Sequence, residues 1–458
     1  MSIVVEKELP KGWRISSLDN FTKIIFGQSP PSSSYNTVGN GLPFYQGKAE
    51  FGTLYPIVKK WCSEPERISE KNDILLCVRA GVGATNLNPQ KSCIGRGLAS
   101  IHPLCHVPNF YILYFFYFIE PILTGSGRGT TITGITSNQL KNLKIPVPPL
   151  NEQKRIVSKI EELFSLVDSA KDTLEKTKVL LKQYRQSILK HAFEGKLTEE
   201  WRKHNPTKLD SILSLLDSKE IAELKENLEI DIPKEWKIAN VGIIAKSIQY
   251  GTSEKADKNF NGIAVLRMGN IDDGKLNFDD LKYYPDNWKD SKKFLLDDGD
   301  VLFNRTNSAE LVGKTAVYRK FHPPAVFAGY LIRVKIIDGV YLPLLLSHFI
   351  NSIFGKLYIK KVVSQQVGQA NVNSKKLSDM SIPLMSLEEQ KEILSKIEES
   401  FSLIEKNEIL IEQLLIQYKQ IKNSILKHAF EGKLVPQDPN DEPAEVLLQR
   451  IREEKNGK

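Results

Sequence analysis

An internal repeat constrains this chain more than any other feature. The eleven residues SILKHAFEGKL occupy 187–197 and recur unchanged at 424–434. At a constant offset of 237, the longer segments 150–197 and 387–434 align without a gap, and 27 of 48 positions are identical. A chain of 458 residues is also too long for a single core. We therefore expect a duplicated structure with at least two cores.

Both repeated segments have the pattern of long amphipathic helices. Their apolar residues recur at alternating spacings of four and three, which is the 3.5-residue period of coiled coils. Ser386 and Glu389 have capping-box spacing, and Gly195 and Gly432 suit the turn after a helix. The predicted seam consists of Ile156, Ile160, Leu163, Val167, Leu174, Leu181 and Tyr184 in the first helix and Ile393, Ile397, Ile404, Ile411, Leu414 and Tyr418 in the second.

Each predicted helix would expose a long apolar stripe if it stood alone. Pairing within the chain would bury both stripes, and the chain connection favours this pairing because it raises the effective concentration. Pairing of each stripe with another protein is the alternative. Because the first helix must lead toward the second globular segment, the pair should be antiparallel. The helix from Ile156 to Ile188 should be about 50 Å long.

The segments outside the helices are predicted to be two globular heads. Short β-rich runs, DILLCV and DVLF, alternate with predicted helices at 108–122 and 342–358. The fold class is therefore α+β: two globular mixed α/β heads separated by two long helices that form an antiparallel coiled coil, with an internal pseudo-twofold duplication. The predicted boundaries are 1–149 for the first head, 150–197 for the first helix, 198–231 for a connector with a short helix, 232–386 for the second head, 387–434 for the second helix, and 435–458 for a tail with a short helix.

The excess of positive over negative charge is confined to the two heads. The chain has a net charge of +8, with +6 in residues 1–149 and +7 in residues 232–385, while the remaining segments are net negative. A basic surface indicates a polyanionic partner. The alternative is that so modest an excess only aids solubility.

Polar residues suited to DNA contact lie in Gly- and Ser-rich loops of both heads. Arginine can read guanine, asparagine and glutamine can read adenine, and hydroxyl groups can hold phosphate. Polar loops are often merely solvated, but six of them at matching places in two basic heads favour nucleic acid. The candidate DNA-binding residues are Gln28, Ser33, Arg79, Asn86, Arg128 and Thr130 in the first head and Thr252, Arg267, Arg305, Asn307, Gln366, Gln369 and Asn371 in the second.

No catalytic motif is present in the sequence. It contains neither a phosphate-binding G-x-x-x-x-G-K-[ST] loop nor a G-x-G-x-x-G fingerprint nor the Asn/Asp-Pro-Pro-Tyr motif of amino-methyltransferases. Cys93, His102, Cys105 and His106 could bind zinc, but their spacing fits no standard site and the second head lacks cysteine. We therefore predict no metal site and no catalytic residue. The N-terminus lacks the apolar core of a signal peptide, and the cysteines have no C-x-x-C spacing, so a cytoplasmic protein is expected.

The order of the motifs resembles the specificity subunits of type I restriction-modification systems. PK-x-W opens each head, the sequences IPVPPLNEQK and IPLMSLEEQK lead from each head into its helix, and ILKHAFEGKL closes each helix. The second of these transitions departs from the IP-x-P-x-L pattern, at a position outside any recognition role. The resemblance covers the whole chain.

The resemblance implies a non-catalytic subunit that recognises double-stranded DNA. Each head would be a target recognition domain for one half of a split sequence, and the helices would set the spacer and dock two modification subunits. Those subunits would use S-adenosylmethionine to methylate adenine N6, and restriction subunits would use ATP and magnesium to translocate and cut DNA. This subunit itself would bind no cofactor. The alternatives are a self-contained methyltransferase or nuclease, which the missing motifs oppose, and a structural scaffold or RNA-binding adaptor.

Overall fold

Packing divides the chain into two compact units. The first consists of Met1–Glu175 and Glu412–Lys458, and the second of Lys176–Ile411. Each unit holds one head together with a part of both repeated segments. The computed structural model describes residues 9–125, 134–206, 208–217, 219–220, 230–308, 311–366 and 369–456.

Each repeated segment forms one uninterrupted helix of 44 residues. These are Leu150–Phe193, the first repeated helix, and Leu387–Phe430, the second repeated helix. Both have glutamate in the first turn and lysine and histidine in the last, which complements the helix dipole. They end four residues before the repeated segments do, because Gly195 and Gly432 adopt φ values of 70° and 69°. This left-handed conformation suits glycine and stops a helix.

The described residues of the first head form three sheets. A four-stranded antiparallel sheet has the order β2-β10-β7-β8, a two-stranded sheet pairs β1 with β11, and a five-stranded sheet has the order β3-β5-β4-β9-β6. Helices Asn109–Leu123 and Ser137–Lys141 belong to the head, and helix Ala444–Asn456 of the tail belongs to the same unit. The strands are β1 (Arg14–Ser17), β2 (Thr22–Phe26), β3 (Tyr35–Asn36), β4 (Leu42–Tyr45), β5 (Trp61–Cys62), β6 (Ile68–Ser69), β7 (Ile74–Cys77), β8 (Thr85–Leu87), β9 (Ser92–Ile94), β10 (Leu98–Pro103) and β11 (Lys144–Val147).

The second head is built on a similar plan. Its sheets have the orders β13-β22-β18-β20, β12-β25, β17-β14-β21, β15-β16 and β19-β24-β23. The strands are β12 (Lys237–Asn240), β13 (Ala245–Tyr250), β14 (Gly262–Leu266), β15 (Ile271–Asp272), β16 (Lys275–Leu276), β17 (Lys282–Pro285), β18 (Val301–Asn304), β19 (Thr306–Asn307), β20 (Thr315–Val317), β21 (Ala325–Phe327), β22 (Leu331–Ile336), β23 (Ser364–Gln366), β24 (Gln369–Asn371) and β25 (Ser381–Leu384). The α-helices of this unit outside the repeated segments include, among the described residues, Glu199–His204, Asp210–Leu213, Val241–Ile244, Ser291–Phe294, Pro343–Asn351, Ile353–Val362 and Ser374–Ser378.

The two heads have matching strand orders although their sequences differ. The central sheet is antiparallel in both, with β2-β10-β7-β8 corresponding to β13-β22-β18-β20. In both heads the first and last strands pair with each other, and one parallel pair, β4 with β9 or β14 with β21, lies in a further sheet. The helix predicted at 342–358 is divided at Ser352, whose side chain accepts a hydrogen bond from Phe354 N and caps the following helix.

The core of the first unit joins the head to both repeated helices. Buried aromatic residues of helix Asn109–Leu123 pack with Ile156 and Ile160 from the start of the first repeated helix and with Leu426 and Phe430 from the end of the second. Phe430 has ring centroids 5.3 to 5.4 Å from those of Tyr111, Phe115 and Phe118. Four residues of the tail helix complete this core: Ala444, Leu447, Leu448 and Ile451.

The core of the second unit has the same arrangement, but here the second repeated helix contributes its start and the first contributes its end. Ile393, Ile397 and Ile404 come from the start of the second repeated helix, and Phe193 comes from the end of the first. Phe193 meets Phe349 edge to face, with ring centroids 5.0 Å apart. The connector contributes Ile212 and Leu216, which are buried here. Each head therefore packs on the start of its own helix and on the end of the other.

Within each unit the two helix segments run in opposite directions. In the first unit, Lys422 Nζ lies 4.6 Å from the centroid of the Phe164 ring, and Lys171 Nζ lies 5.7 Å from the centroid of the Tyr418 ring. Asp168, between Phe164 and Lys171, accepts hydrogen bonds from Tyr418 Oη and Lys422 Nζ at 2.5 and 2.9 Å. Residue numbers therefore fall along one segment as they rise along the other. In the second unit, Arg185 reaches Glu408 at 3.2 Å. Thr198, which follows the end of the first repeated helix, reaches Glu389 in the first turn of the second at 2.8 Å.

The inward stripe drifts by one residue from the strict heptad pattern. Tyr184 and Leu414 are 57% and 37% exposed, whereas the neighbouring Arg185 and Leu415 are partly buried. Of the other predicted seam positions, Ile156, Ile160, Ile393, Ile397, Ile404 and Ile411 are buried, and Leu163, Val167, Leu174, Leu181 and Tyr418 are half-buried. The drift arises because an α-helix has 3.6 residues per turn and moves away from a 3.5-residue repeat.

Candidate nucleic-acid interface

The candidate loops of the second head follow strands of two sheets, and these strands end at one edge of the head. β13 and β18 both run antiparallel to β22, so Tyr250 and Asn304 lie beside the start of β22. A bridge between Thr252 and Ala328 joins this edge to the end of β21, which is parallel to β14. Thr252, Arg267, Arg305 and Asn307 all follow these strand ends. The structure thus brings together loops that are far apart in the sequence.

Arg305 is held on three sides at this edge. Its Nη2 donates to Asn371 Oδ1 over 3.2 Å, and its Nη1 donates to Gly329 O over 3.4 Å. The guanidinium carbon lies 4.8 Å from the centroid of the Tyr250 ring. Asn371 in turn donates from Nδ2 to Thr306 Oγ1 over 2.9 Å. Two candidate residues, Arg305 and Asn371, are therefore in direct contact.

Four candidates share the small sheet β19-β24-β23. Asn307 pairs with Ala370 across β19 and β24, and Gln366 pairs with Gln369 across β23 and β24. Asn371 ends β24 and reaches Arg305 as described. The sheet consequently places polar residue types from two distant loops next to the arginine.

Thr252 and Arg267 are engaged within the head. Thr252 is buried, and its hydroxyl oxygen accepts a hydrogen bond from Glu254 N over 3.2 Å. Arg267 Nη2 donates to the backbone oxygen and to Oδ2 of Asp280 over 2.5 and 3.3 Å. Lys258 also contacts Asp280, and the hydrogen bonds from Lys258 and Arg267 lower the pKa of this aspartate. The charge of Arg267 is therefore largely balanced locally.

In the first head, three candidates are exposed. Gln28 follows β2 and Arg79 follows β7 at the edge that corresponds to the one described above, and Ser33 lies in a 3-10 turn. Gln28 N donates to Ile94 O over 3.1 Å, which fixes the backbone of its loop. Arg128 and Thr130 lie outside the described residues.

Asn86 has a different environment from the other candidates. It is 2% exposed, and its Oδ1 accepts from Gly52 N while its Nδ2 donates to Gly52 O, both over 3.1 Å. Nδ2 also donates to Thr85 O over 3.0 Å. The amide is thus used to fix the loop at Gly52. The neighbours of Asn86 on β8, Thr85 and Leu87, give no sequence signal that distinguishes an asparagine that fixes a loop from one that reads a base.

Arg96 was missed by the sequence reasoning. It is exposed in the turn between β9 and β10, at the same edge as Gln28, and its N–H lies 3.5 Å from Ser29 Oγ. The turn is tightly packed, because a Cβ on Gly97 would lie 2.2 Å from Gln46 O. The signal was the sequence IGRGLAS, in which an arginine between two glycines separates two apolar runs.

Two basic residues of the second head, Arg333 and Lys335, form ion pairs with a buried aspartate. Asp300 is buried and pairs with Arg333 Nη1 at 3.3 Å and with Lys335 Nζ at 3.7 Å. Burial raises the pKa of Asp300, and the two cations oppose that rise. In the first head, Asp73 occupies the corresponding place and contacts Ser100 Oγ and His102 Nδ1 at 2.6 and 2.7 Å. Net charge alone therefore overstates the cationic surface of the second head.

The shared motifs of the repeats dock on each other within each unit. Trp13 Nε1 donates to Glu152 Oε2 over 3.0 Å in the first unit, and Trp236 Nε1 donates to Glu389 Oε2 over 2.9 Å in the second. The tryptophan belongs to PK-x-W and the glutamate to the Glu-Gln-Lys that opens each repeated helix. The start of each head is thereby fixed to the helix that follows it.

The glycine that ends each repeated helix contacts the same motif in the other head. A Cβ on Gly432 would lie 2.2 Å from Pro10 Cγ, and one on Gly195 would lie 2.4 Å from Pro233 Cγ. Because both prolines belong to PK-x-W, one small surface receives the helix end in each unit. This common surface explains why the closing sequence is the same in both repeats.

The two buried glutamates differ in their other partners. Glu389 Oε1 accepts from Thr198 Oγ1 and Arg202 Nε, both over 2.8 Å. At the repeat offset of 237, the positions that correspond to Thr198 and Arg202 are Val435 and Pro439. Burial raises the pKa of Glu152 despite the hydrogen bond from Trp13 and the charge of Arg155.

Ten large apolar side chains on the repeated helices are exposed and lie outside the buried cores of the two units. They are Leu166, Leu414, Ile416 and Ile421 in the first unit and Val179, Leu180, Tyr184, Leu403, Ile409 and Leu410 in the second.

The cysteine and histidine residues considered for zinc have separate partners. His102 contacts Asp73, Cys105 Sγ donates to Glu454 Oε2 over 2.6 Å, and Cys93 is buried with Cys62 and Phe44. Within the described ranges, no group of three or more His, Cys, Asp or Glu side chains could hold a metal ion. Of the helices in the described part of the chain, none is long and apolar enough to cross a membrane.

Two α+β heads with matching strand orders and different polar edges, each mounted on repeated helices, define a duplicated recognition protein. Comparison with known proteins identifies the kind of recognition. The sequence model described as "Type I restriction modification DNA specificity domain" matches residues 10–178 and 233–415, which is more than half of the chain. The chain belongs to this family, and the resemblance stated from its motifs is confirmed.

Relatives with established names cover nearly the full length. The type I restriction enzyme EcoKI specificity subunit of Escherichia coli is 26% identical over 98% of this chain and 96% of that protein. The StySPI specificity subunit of Salmonella potsdam is 25% identical over the same shares. Among solved structures, the HsdS subunit from Thermoanaerobacter tengcongensis is 44% identical over 37% of this chain and 41% of that chain, with a TM-score of 0.34.

Proposed function

We propose that each head reads one half of a split double-stranded DNA sequence on behalf of a type I restriction-modification complex. The observation that carries this proposal is that the same edge of the sheet, counted in each head separately, bears the polar loops. The same strand ends present different polar residues in each, with Gln28, Arg79 and Arg96 in one head and Arg305 and Asn371 in the other. A constant frame with different polar side chains suits two different half-sites, because base edges are read by side-chain donors and acceptors.

The repeated helices are proposed to set the distance between the half-sites. In this proposal they form one antiparallel coiled coil about an internal pseudo-twofold. The contacts of Asp168 with Tyr418 and of Arg185 with Glu408, each within its own unit, support antiparallel pairing. So does the exchange of helix ends, with Phe193 in the core of the second unit and Phe430 in that of the first.

The exposed apolar residues of the repeated helices are proposed to dock two modification subunits. Residues such as Leu180, Leu410 and Ile416 are more than half exposed, and contiguous exposed apolar surface marks interaction sites. The partner subunits would bring S-adenosylmethionine for methylation of adenine N6, and restriction subunits would bring ATP- and magnesium-dependent translocation and cleavage. This chain would contribute no catalytic group and would act in the cytoplasm, where these partners and DNA occur.

Mapping methylated adenines tests this function. The chain is co-expressed with its modification partner in a host that lacks other adenine methyltransferases, and the host genome is sequenced for N6-methyladenine. The expected result is one bipartite motif with a fixed spacer. Methylation without a motif, or a single uninterrupted motif, would contradict the proposal.

A binding experiment separates DNA recognition from the alternative of an RNA adaptor. The assembled complex is titrated with duplex DNA containing the mapped motif, duplex DNA with a scrambled motif, and RNA of the same length. Binding to the motif should be tightest and should weaken with salt by about 0.9 log units per log unit for each phosphate neutralised. Preference for RNA would favour the adaptor instead.

A further inference from the structure

We infer that Arg305 reads one guanine in the half-site of the second head. This inference rests on the proposed function and adds to it a particular base and a particular atom pair. It is carried by the geometry of Arg305 itself.

The side chain is ordered before any DNA arrives. The Tyr250 ring lies under the guanidinium, and Asn371 Oδ1 and Gly329 O each accept one hydrogen bond from it. The supports are themselves fixed, because Tyr250 Oη accepts from Ser374 N over 2.8 Å and Asn371 Nδ2 donates to Thr306 Oγ1. A pre-ordered arginine loses little conformational entropy on binding, and its planar fork can discriminate between bases.

The orientation leaves a particular set of donors. Nε is buried, so the donors that DNA could use belong to the two Nη atoms. Each Nη carries two hydrogens, of which the hydrogen bonds to Asn371 and Gly329 use one each. One hydrogen on each Nη remains. These two remaining donors lie in the plane of one guanidinium and are of the kind that pairs with the N7 and O6 acceptors of guanine in the major groove.

The surroundings favour a base edge over a phosphate group. The Asn371 Oδ1 and Gly329 O acceptors lie against the guanidinium and would repel the full negative charge of a phosphate oxygen more strongly than the neutral N7 and O6 acceptors of guanine. Tyr250 and Tyr330 are both partly exposed beside Arg305, whose N–H donates to Tyr330 O over 3.0 Å. The contact with Tyr330 is made by the main chain, so the ring that flanks the guanidinium is that of Tyr250.

Arg267 provides a matched control in the same head. It also follows a strand end at this edge, but its guanidinium is bonded to the Asp280 carboxylate. An arginine that is neutralised in this way should not read a base. Replacing it removes the same charge as replacing Arg305 without removing the proposed donors.

The test combines protein variants with a modified base. Complexes with the wild-type chain, Arg305→Lys, Arg305→Ala or Arg267→Ala are used to map methylation sites and to measure binding to the mapped duplex. In a second series, each guanine of the second half-site is replaced in turn by 7-deazaguanine, which lacks the N7 acceptor. This series uses the unaltered protein and does not depend on whether a variant folds.

The expected result has three parts. Both Arg305 variants should accept other bases at one former guanine of the second half-site and bind about 5- to 150-fold more weakly, with the first half-site unchanged. Arg267→Ala should leave the position read by Arg305 unchanged, whatever its own effect on the strength of binding. For the wild-type chain, one 7-deazaguanine should weaken binding, and the same replacement should have no further effect in Arg305→Ala.

Other outcomes would overturn the inference and identify the reason. A uniform loss of binding with an unchanged motif would make Arg305 a phosphate contact. A second half-site without guanine, or one insensitive to every 7-deazaguanine, would exclude the reading of guanine N7. If the wild-type complex methylates no bipartite motif, the proposed function fails instead, and that failure is visible before any variant is made.

Discussion

Single side chains distinguish the two buried glutamates that join heads to helices. Glu389 accepts from Thr198, Arg202 and Trp236, whereas Glu152 lacks the threonine and the arginine. We expect Glu389→Gln to lower the free energy of unfolding by roughly 1–3 kcal/mol, because it removes the charge that Arg202 pairs with in a buried site. Urea-induced unfolding at pH 7 measures the change.

Glu152→Gln is the matched control for that prediction. The pKa of Glu152 is raised by burial, so its protonated form is favoured in the folded state. Stability from this group is present below the unfolded pKa and is lost as the pH rises through the folded pKa. The uncharged glutamine should therefore change stability little or raise it at pH 7. Equal decreases in the free energy of unfolding for Glu389→Gln and Glu152→Gln would contradict the different roles of the two glutamates.

His348 should make the second unit sensitive to acid. Burial, together with the nearby charge of Arg185, lowers its pKa to about 4, and its ring meets Phe401 edge to face. The folded state thus keeps the ring neutral while the unfolded state takes up a proton below about pH 6.5. Stability is complete above that pH and should fall toward pH 4, by at most about 1.4 kcal/mol per pH unit.

The variant His348→Phe tests this linkage and keeps an aromatic ring against Phe401. Its free energy of unfolding should depend less on pH between 6.5 and 4 than that of the wild type. Comparison of the two proteins at pH 7.5 separates any change in packing from the effect of the proton. An unchanged slope would show that another group causes the acid sensitivity.

At the scale of elements, the helix ends are the most sensitive parts of the repeats. Phe430 packs on three aromatic residues of helix Asn109–Leu123, and Phe193 packs on Phe349. Both phenylalanines are fully buried. Phe430→Ala and Phe193→Ala should each cost about 3–5 kcal/mol, whereas Leu410→Ala on the exposed side of the second repeated helix should change stability by less than about 0.5 kcal/mol.

Thermal unfolding measures the total loss of stability, and amide hydrogen exchange of the folded protein shows which head has lost protection. Phe430→Ala should weaken protection in the first head, and Phe193→Ala should weaken it in the second. The opposite assignment, or a loss confined to the helices, would contradict the exchange of helix ends.

The elements also show what a sequence can predict. The two long helices were predictable because their apolar period continues over more than four heptads, and the two heads because their flanking motifs repeat. The docking of each helix end on the other head was not, since Phe193 and Phe430 resemble any apolar residue in a helix. Candidate residues were found by type, and Asn86 shows the limit, because only its hydrogen bonds to Gly52 reveal a structural role.

For the whole molecule, the proposed ruler makes a direct prediction. Insertion of four residues after Thr177 and after Leu414 adds about 6 Å to each helix, which corresponds to nearly two base pairs. The methylation map should show unchanged half-sites separated by a longer spacer. Four residues exceed one turn slightly, so some stability should be lost as the inward stripe shifts.

An insertion outside the ruler serves as the control. Four residues placed at 207, in the connector between the helices Glu199–His204 and Asp210–Leu213, should leave both half-sites and the spacer as they are. An unaltered spacer in an active double-insertion variant would mean that the helices do not set the distance.

The contact between the two ends of the chain has a consequence for biosynthesis. Arg14 bonds Glu445 and Lys455 bonds Asp19, so contacts of the first unit span more than 430 residues. The second unit, by contrast, is one continuous segment, Lys176–Ile411. At about 5–20 residues per second, a ribosome needs roughly 12–50 s to travel from the end of one segment of the first unit to the start of the other. During that time the nascent first head lacks Phe430 and the tail helix, and the part of the protein made first is completed last.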